Sequence, residues 1–324
     1  MCCRSTLNPF LLILGLLICS QTLAFEKVGV TSFQFLKVMP DARSTAMGEA
    51  YSSVARGADG MFWNPAAMMR ISGLSAGVSH VNYIFDTGHF GAAISYTPGS
   101  FAFGLTLMNV DYGNIEVTDV AHLGYLSDGN YNPGLTGEII QPGAMVVGLG
   151  VAQRLTSKFS YGLNMKYVRE DMVVADQSLV MWDMGILYET GFRSITLAAT
   201  MRNFGPQVEY FDYSYPLPQT LNIGISTDLI GGNDALLINN QWHRILVAFD
   251  IVQPRDYEQQ YNAGIEYIFM NLLAFRTGYK INYDTEGLTL GGGIKIKGFS
   301  VDYSYNTYGK FLSDVHRFSF SINQ

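Results

Sequence analysis

A chain of 324 residues that is 48% hydrophobic and only 15% charged, with 34 glycines, 20 tyrosines and 20 phenylalanines, is too apolar and too aromatic to be disordered. After residue 24 it contains no uninterrupted run of apolar residues long enough for a membrane-spanning helix, which needs about 18. Its formal net charge of −7 argues against nucleic acid as a partner.

Residues 1–24 read as a secretory signal peptide. Arg4 supplies the positive charge, Pro9 to Cys19 the apolar stretch, and Thr22-Leu23-Ala24 the cleavage site. Lipid attachment at Cys19 is disfavoured by the bulky Ile18 before it. Cys2, Cys3 and Cys19 all fall inside this segment. The mature chain is therefore expected to contain neither a disulfide nor a reactive thiol, and to depend on burial and backbone pairing.

Residues 25–72 have a different character from everything after them. From Thr45 to Ala55 the residues are good helix formers, with Ser44 and Thr45 as candidate N-caps. Gly57, Ala58, Asp59 and Gly60 then break the pattern. Asn64 is placed to cap a second short helix with Pro65 at its first position. A small segment rich in Ala, Gly and Met, ahead of a long run of strands, reads as a plug for something that closes around it.

From Leu74 onward the chain alternates apolar with small or polar residues in segments of about nine to twelve, the signature of strands with one greasy face. The final segments show it most clearly. Leu288, Leu290, Ile294 and Ile296 oppose Thr289, Gly291, Gly293 and Lys295; Phe299, Val301, Tyr303 and Tyr305 oppose Ser300, Asp302, Ser304 and Asn306; Phe318, Phe320 and Ile322 oppose Arg317, Ser319, Ser321 and Asn323. The pattern recurs over 73–83, 89–97, 100–110, 142–155, 159–170, 178–189, 194–204, 219–229, 243–253, 259–270 and 273–283, which with the last three predicts fourteen strands.

A soluble sandwich or solenoid also alternates. Against that, the segments have the length of a tilted membrane-crossing strand, and the non-apolar faces carry glycine with scattered charge. Tyr83, Tyr96, Tyr167, Tyr188, Tyr267 and Tyr283 sit near strand ends, where interfacial girdles belong. Connections at 98–99, 156–158, 191–193, 270–272 and 297–298 are short, and those at 111–140, 171–177, 205–218 and 253–258 are longer; only 230–242 breaks the rule. The expected architecture is all-β: a 14-stranded antiparallel transmembrane β-barrel over 73–324 with an N-terminal helical hatch, in the outer membrane of a diderm bacterium.

The stretch from Ala42 to Met68 resembles the N-terminal signature of the PorV/PorQ group of outer-membrane proteins, itself similar to the FadL-type long-chain fatty acid channels. The matching residues are Gly48-Glu49-Ala50, Ala58-Asp59, and Trp63 before Asn64-Pro65-Ala66. The resemblance implies a hatch filling a fourteen-stranded barrel, with Asn64 and Pro65 forming a hatch turn. In the PorV-like branch it implies a role in type IX secretion or cell-surface attachment, with a translocon or cargo protein as partner. In the FadL-like branch it implies a channel for hydrophobic small molecules. The chain ends Phe320-Ser321-Ile322-Asn323-Gln324, departing from the terminal aromatic of many outer-membrane barrels.

No enzyme chemistry is legible. His80, His89, His122, His243 and His316 lack metal-ligand spacing. Gly148-Leu149-Gly150 lies in an alternating strand, Gly291-Gly292-Gly293 reads as space for the hatch, and no nucleophile elbow is present; neither cofactor nor metal is expected. Lys166, Asp183, Arg202, Asp250, Glu266, Arg276, Lys280 and Lys295 are predicted to face inward, either as a ladder guiding a solute or as mutual pairs. Tyr210, Phe211, Tyr213 and Tyr215 form either a partner-binding loop or an interfacial rim. The expected function is partner binding in protein export, with the hydrophobic channel as the alternative; a general porin is disfavoured because the hatch would block ion flow.

Overall fold

Fourteen strands pair antiparallel, each with its neighbours in sequence, and the last pairs with the first. They are β1 Gly73–Asn82, β2 Gly88–Thr97, β3 Phe101–Asp111, β4 Gly143–Arg154, β5 Phe159–Asp171, β6 Asp176–Glu189 and β7 Thr196–Phe204. The circuit continues through β8 Thr220–Gly231, β9 His243–Pro254, β10 Gln260–Phe269, β11 Leu273–Ile281, β12 Leu288–Ile296, β13 Phe299–Asn306 and β14 Val315–Asn323. Closure runs from Ser75↔Asn323 to Asn82↔His316. This computed structural model describes residues 29–173, 175–309 and 312–324; the expected signal segment, with its three cysteines, lies outside them.

Alternation explains the wall. Leu288, Leu290, Ile294 and Ile296 point outward as Thr289 turns into the lumen, and Phe318 and Phe320 point outward as Arg317 turns in. In an outer membrane this apolar band meets lipid, and closure leaves no strand edge inside the hydrocarbon. Short turns lie at one end. At the other, the connection after β3 rises into an extra hairpin, Ile115–Tyr125 paired with Tyr131–Ile140, and the one after β7 forms a small hairpin, Val208–Tyr210 with Tyr213–Tyr215. Sequence alternation does not reveal these hairpins, because pairing outside the barrel has no buried face to impose it. At the short-turn end, 232–242 folds back so that Ile238–Asn239 runs parallel to Ile230–Gly231.

The tyrosine girdle is partial. Tyr96, Tyr167 and Tyr188 are exposed on the wall, but Tyr83 turns inward against His89 and Tyr308, and Tyr283 lies beneath the Lys280 ammonium. Both lie just past a strand end, where alternation no longer fixes the side a residue faces.

The lumen is filled by residues 29–71. The helix predicted over Thr45 to Ala55 is absent: α1 spans only Ala42–Ala46, and its N-cap is Asp41, which accepts from Ser44 N. Gly48 and Glu49 adopt left-handed φ of 62° and 63° and end it. The rest of the hatch is turns and 3-10 segments, chiefly Gly57–Met61 and Pro65–Arg70. It is a compact plug with little helix.

Glycine on the wall makes room for it. A Cβ on Gly278 would overlap the backbone of Met47 and Gly48; one on Gly185 would overlap the Asn64 amide, one on Gly162 the backbone of Pro65, and one on Gly291 the Ala46 methyl. Gly278→Val and Gly185→Val are each expected to destabilise the seated hatch by about 1–3 kcal/mol through overpacking, read as a lower temperature for loss of the heat-modifiable gel form. Gly88→Ala, with nothing near its added methyl, should match wild type; equal behaviour of all three variants would refute this account of the seat.

Candidate functional site

The hatch divides the lumen into two chemically different regions. Towards the long-loop end, Phe33, Phe35 and Leu36 pack against inward-facing Met108 and Val110 of β3, Val146 of β4, Val168 of β5 and Met181 of β6, with Val208 and Leu217 from the loop after β7. The Tyr112 and Tyr210 hydroxyls close this apolar chamber by donating to Glu170 at 2.8 and 3.0 Å. The N-terminal segment is tethered there: the Ser32 amide donates to Pro216 O at 3.0 Å, the Thr31 hydroxyl to Asp256 at 2.6 Å, and Lys37 pairs with Asp256 at 2.6 Å.

The opposite wall, β9 to β13, is charged. Glu266 receives both Arg43 nitrogens at 2.8 Å and Arg276 at 2.7 Å, and Arg276 also reaches Asp302 at 2.6 Å. Lys280 pairs with Glu49 at 2.9 Å and with Glu286. Asp250 accepts from the amides of Tyr51 and Ser52 at 3.2 and 2.9 Å. Across the lumen Lys166 pairs with Asp183 at 2.8 Å, and Arg202 lies 4.9 Å from the Trp63 ring. Arg202 and Asn203 are both buried because β7 bulges there, with Met201 opposite Met184 but Phe204 opposite Trp182. Of the eight charges predicted to face inward, Lys295 has no such partner among the described residues.

The structure brings much of the hatch motif together. Trp63 is 1% exposed, and its indole N–H donates to Asp41 at 2.7 Å. Asp59 accepts from the Tyr51 hydroxyl at 2.9 Å, and Tyr51 packs edge-on to Trp63. Asn64 caps the following turn by accepting from Ala66 N, and its amide donates to Ser52 O and Ile186 O, both at 3.1 Å. Pro65 occupies the first position of that turn, and Ala66 is buried against Leu187 and Ala198. Gly48 rests on β11 and Glu49 on Lys280. The four loop aromatics divide: Tyr210 turns into the chamber with the Tyr215 ring edge-on to it, while Phe211 and Tyr213 are exposed, at 82% and 69%.

Sequence reasoning missed Asp41, Arg43, Tyr51 and the Phe33–Phe35–Leu36 group. Asp41 was legible as an acid three residues before Ser44, but competed with Ser44 and Thr45 for the cap. The others lack a local signal, since their partners are distant: Arg43 and Glu266 are 223 positions apart.

Cavities of 350 and 370 Å³ open beside the N-terminal segment at the loop end. A central void of 30 Å³ lies between Met39, Phe62 and Met108, and a cavity of 150 Å³ lies below the hatch towards the turn end. The central void exceeds the roughly 10–15 Å³ that one water needs but is far smaller than the cavities at either end.

A closed fourteen-stranded barrel with an apolar outer band and a filled lumen defines the class: an outer-membrane β-barrel of a Gram-negative-type bacterium. No family profile and no curated protein matches the sequence. Among solved structures, the fold is similar to the toluene transporter TbuX of Ralstonia pickettii, with 14% identity, a TM-score of 0.59, and 90% of this chain and 100% of that chain covered. It is also similar to the toluene transporter TodX of P. putida (14% identity, TM-score 0.59, coverage 87% and 97%) and to a Pseudomonas aeruginosa FadL homologue (10% identity, TM-score 0.52, coverage 88% and 98%). The chain shares the FadL-like fold; at these identities the likeness speaks for fold alone.

Glu266→Gln leaves two buried guanidiniums sharing a neutral amide. It is expected to lower stability by about 3 kcal/mol, at the low end for breaking a buried pair because Asp302 still holds Arg276. Denaturant unfolding of the detergent-refolded barrel measures this, and a variant as stable as wild type would show the network to be dispensable.

Proposed function

We propose that this barrel is a conduit for hydrophobic small molecules across the outer membrane, gated by its N-terminal segment. The observation that carries the reading is the apolar chamber, in which Phe33, Phe35 and Leu36 occupy a lumen wall made of Met, Val and Ala. A lumen serving only water-soluble solutes has no use for such a surface. The chain fills it with its own aromatic rings, which a hydrophobic solute of similar chemistry would have to displace. The FadL-like fold, shared with two toluene transporters, supports the reading. The 30 Å³ void at the centre of the plug is too small for such a solute, so displacement of the hatch, and not a standing pore, is the expected route.

Toluene is the natural first probe. Detergent-solubilised protein is expected to bind a nonpolar fluorescent dye saturably and to release it to toluene. Val146→Asp, which places a carboxylate in the chamber, should weaken that binding at least tenfold while the heat-modifiable barrel persists. Absence of saturable binding to the wild-type protein would overturn the conduit reading.

A second reading, a partner-binding barrel in type IX secretion or surface attachment, draws on the loop end. Phe211 and Tyr213 are exposed there, and the hairpin after β3 displays Val120 at 84% and Tyr125 at 82%, an apolar surface that suits a protein partner. Mass spectrometry of the protein extracted gently from its native membrane is the test. A stoichiometric secreted protein or a large translocon barrel is the outcome this reading expects; bound lipid or hydrocarbon alone would set it aside.

A further inference from the structure

Below the hatch, at the short-turn end, the 150 Å³ cavity differs from the rest of the lumen. Its barrel wall, contributed by β1, β2 and β9 to β14, carries small side chains such as Gly77, Ala93, Gly293, Ser300 and Ser321, which leave the space open. Five cations line it: Arg43, Arg56, Arg244, Arg276 and Lys295. Three are committed elsewhere, Arg43 and Arg276 to Glu266 and Arg244 to Asp228 at 2.9 Å. The side chains of Arg56 and Lys295 make neither a hydrogen bond nor an ion pair among the described residues.

The acids on the same cavity do not compensate them directly. Asp302 is held by Arg276, Asp41 by the α1 cap and the Trp63 indole, and Asp59 receives the Tyr51 hydroxyl. Two uncommitted cations beside three further ones repel, and in a partly enclosed space of low dielectric that repulsion is weakly screened. Such an arrangement gains most from a ligand that brings negative charge and several acceptor oxygens. The Arg56 guanidinium can present paired donors to an oxyanion, with the Lys295 ammonium as a point charge beside it.

We propose that this cavity is a binding site for an oxyanion, a carboxylate or phosphate group, that enters from the short-turn side of the barrel. The volume holds several waters at about 30 Å³ each, and so a carboxylate or phosphate head. The direction of entry follows from position: the cavity lies on the short-turn side of the hatch, and its lining reaches the turn residues Asn271 and Leu272. Occupancy would neutralise the cations beneath the hatch and add contacts to Arg56, a hatch residue, so that the bound anion holds the hatch in place. The site goes beyond the conduit reading and does not depend on the apolar chamber.

Equilibrium dialysis of the purified full-length barrel in nonionic detergent at low salt, with radiolabelled inorganic phosphate and separately with hexanoate, tests it. Saturable binding of at least one probe is expected, weakened tenfold or more by Arg56→Gln and by Lys295→Gln and unchanged by Lys158→Gln. Lys295 lies at the open rim and makes no structural pair, so its variant remains informative if Arg56→Gln perturbs the hatch. Phosphate binding would assign a phosphate group, and hexanoate binding without phosphate an organic acid; either supports the site. No saturable binding of either probe, or equal loss in Lys158→Gln, would overturn it. Dye release by toluene should persist in the Lys295→Gln variant, which separates this result from the fate of the conduit reading.

Discussion

Lipid offers no hydrogen-bonding partner to a peptide group, and the rest of the structure follows from that constraint. Every backbone donor and acceptor of the spanning strands must be met by another strand, so β14 returns to β1 and the sheet closes. Closure places alternate residues on two sides with opposite demands. The outer side must be apolar against lipid, and the inner side must take whatever polar chemistry the chain carries. Arg317, Glu266, Asp250 and Asn164 are therefore buried in the lumen, where each needs a partner or incurs the cost of desolvation.

The hatch supplies many of those partners, which is why it is built from caps and backbone turns and not from a long helix. Its buried amides at Tyr51 and Ser52 meet Asp250, its Arg43 meets Glu266, and its Glu49 meets Lys280. In return the wall lends acceptors and glycine-lined recesses to a segment whose own hydrogen bonds are those of short turns. Barrel and plug thus satisfy each other, and a hatch that moves must exchange these contacts for water entering the lumen.

The interior is also divided. On the β3 to β6 side, towards the loops, inward Met, Val and Ala form an apolar cluster beside Glu170 and the Lys166–Asp183 pair; on the β10 to β14 side inward positions are charged or small. An apolar chamber and a cationic cavity therefore sit at opposite ends of one plug, with only a small void between Met39, Phe62 and Met108 at its centre. The shared fold with hydrocarbon transporters at 14% identity indicates how far the wall can diverge while its closure geometry persists.

The barrel was legible in the sequence because alternation is local: Leu288 and Thr289 point to opposite sides whatever the rest of the chain does. The Asn64 cap was legible for the same reason, being made to Ala66 two residues on. Helix from Thr45 to Ala55 was wrongly expected because propensity favours it, whereas the close approach of Gly48 to Gly278, 230 residues away, decides the backbone there. The inward turn of Tyr83, the hairpins beyond the membrane and the partner of each lumen charge were not readable either. Period, caps and composition determined that this chain makes a plugged outer-membrane barrel. Only the closed tertiary structure decided that Phe33, Phe35 and Leu36 fill an apolar chamber while Arg56 and Lys295 face a cavity unpaired, because those relations depend on which strands stand across the lumen from one another, a distance that no local pattern encodes.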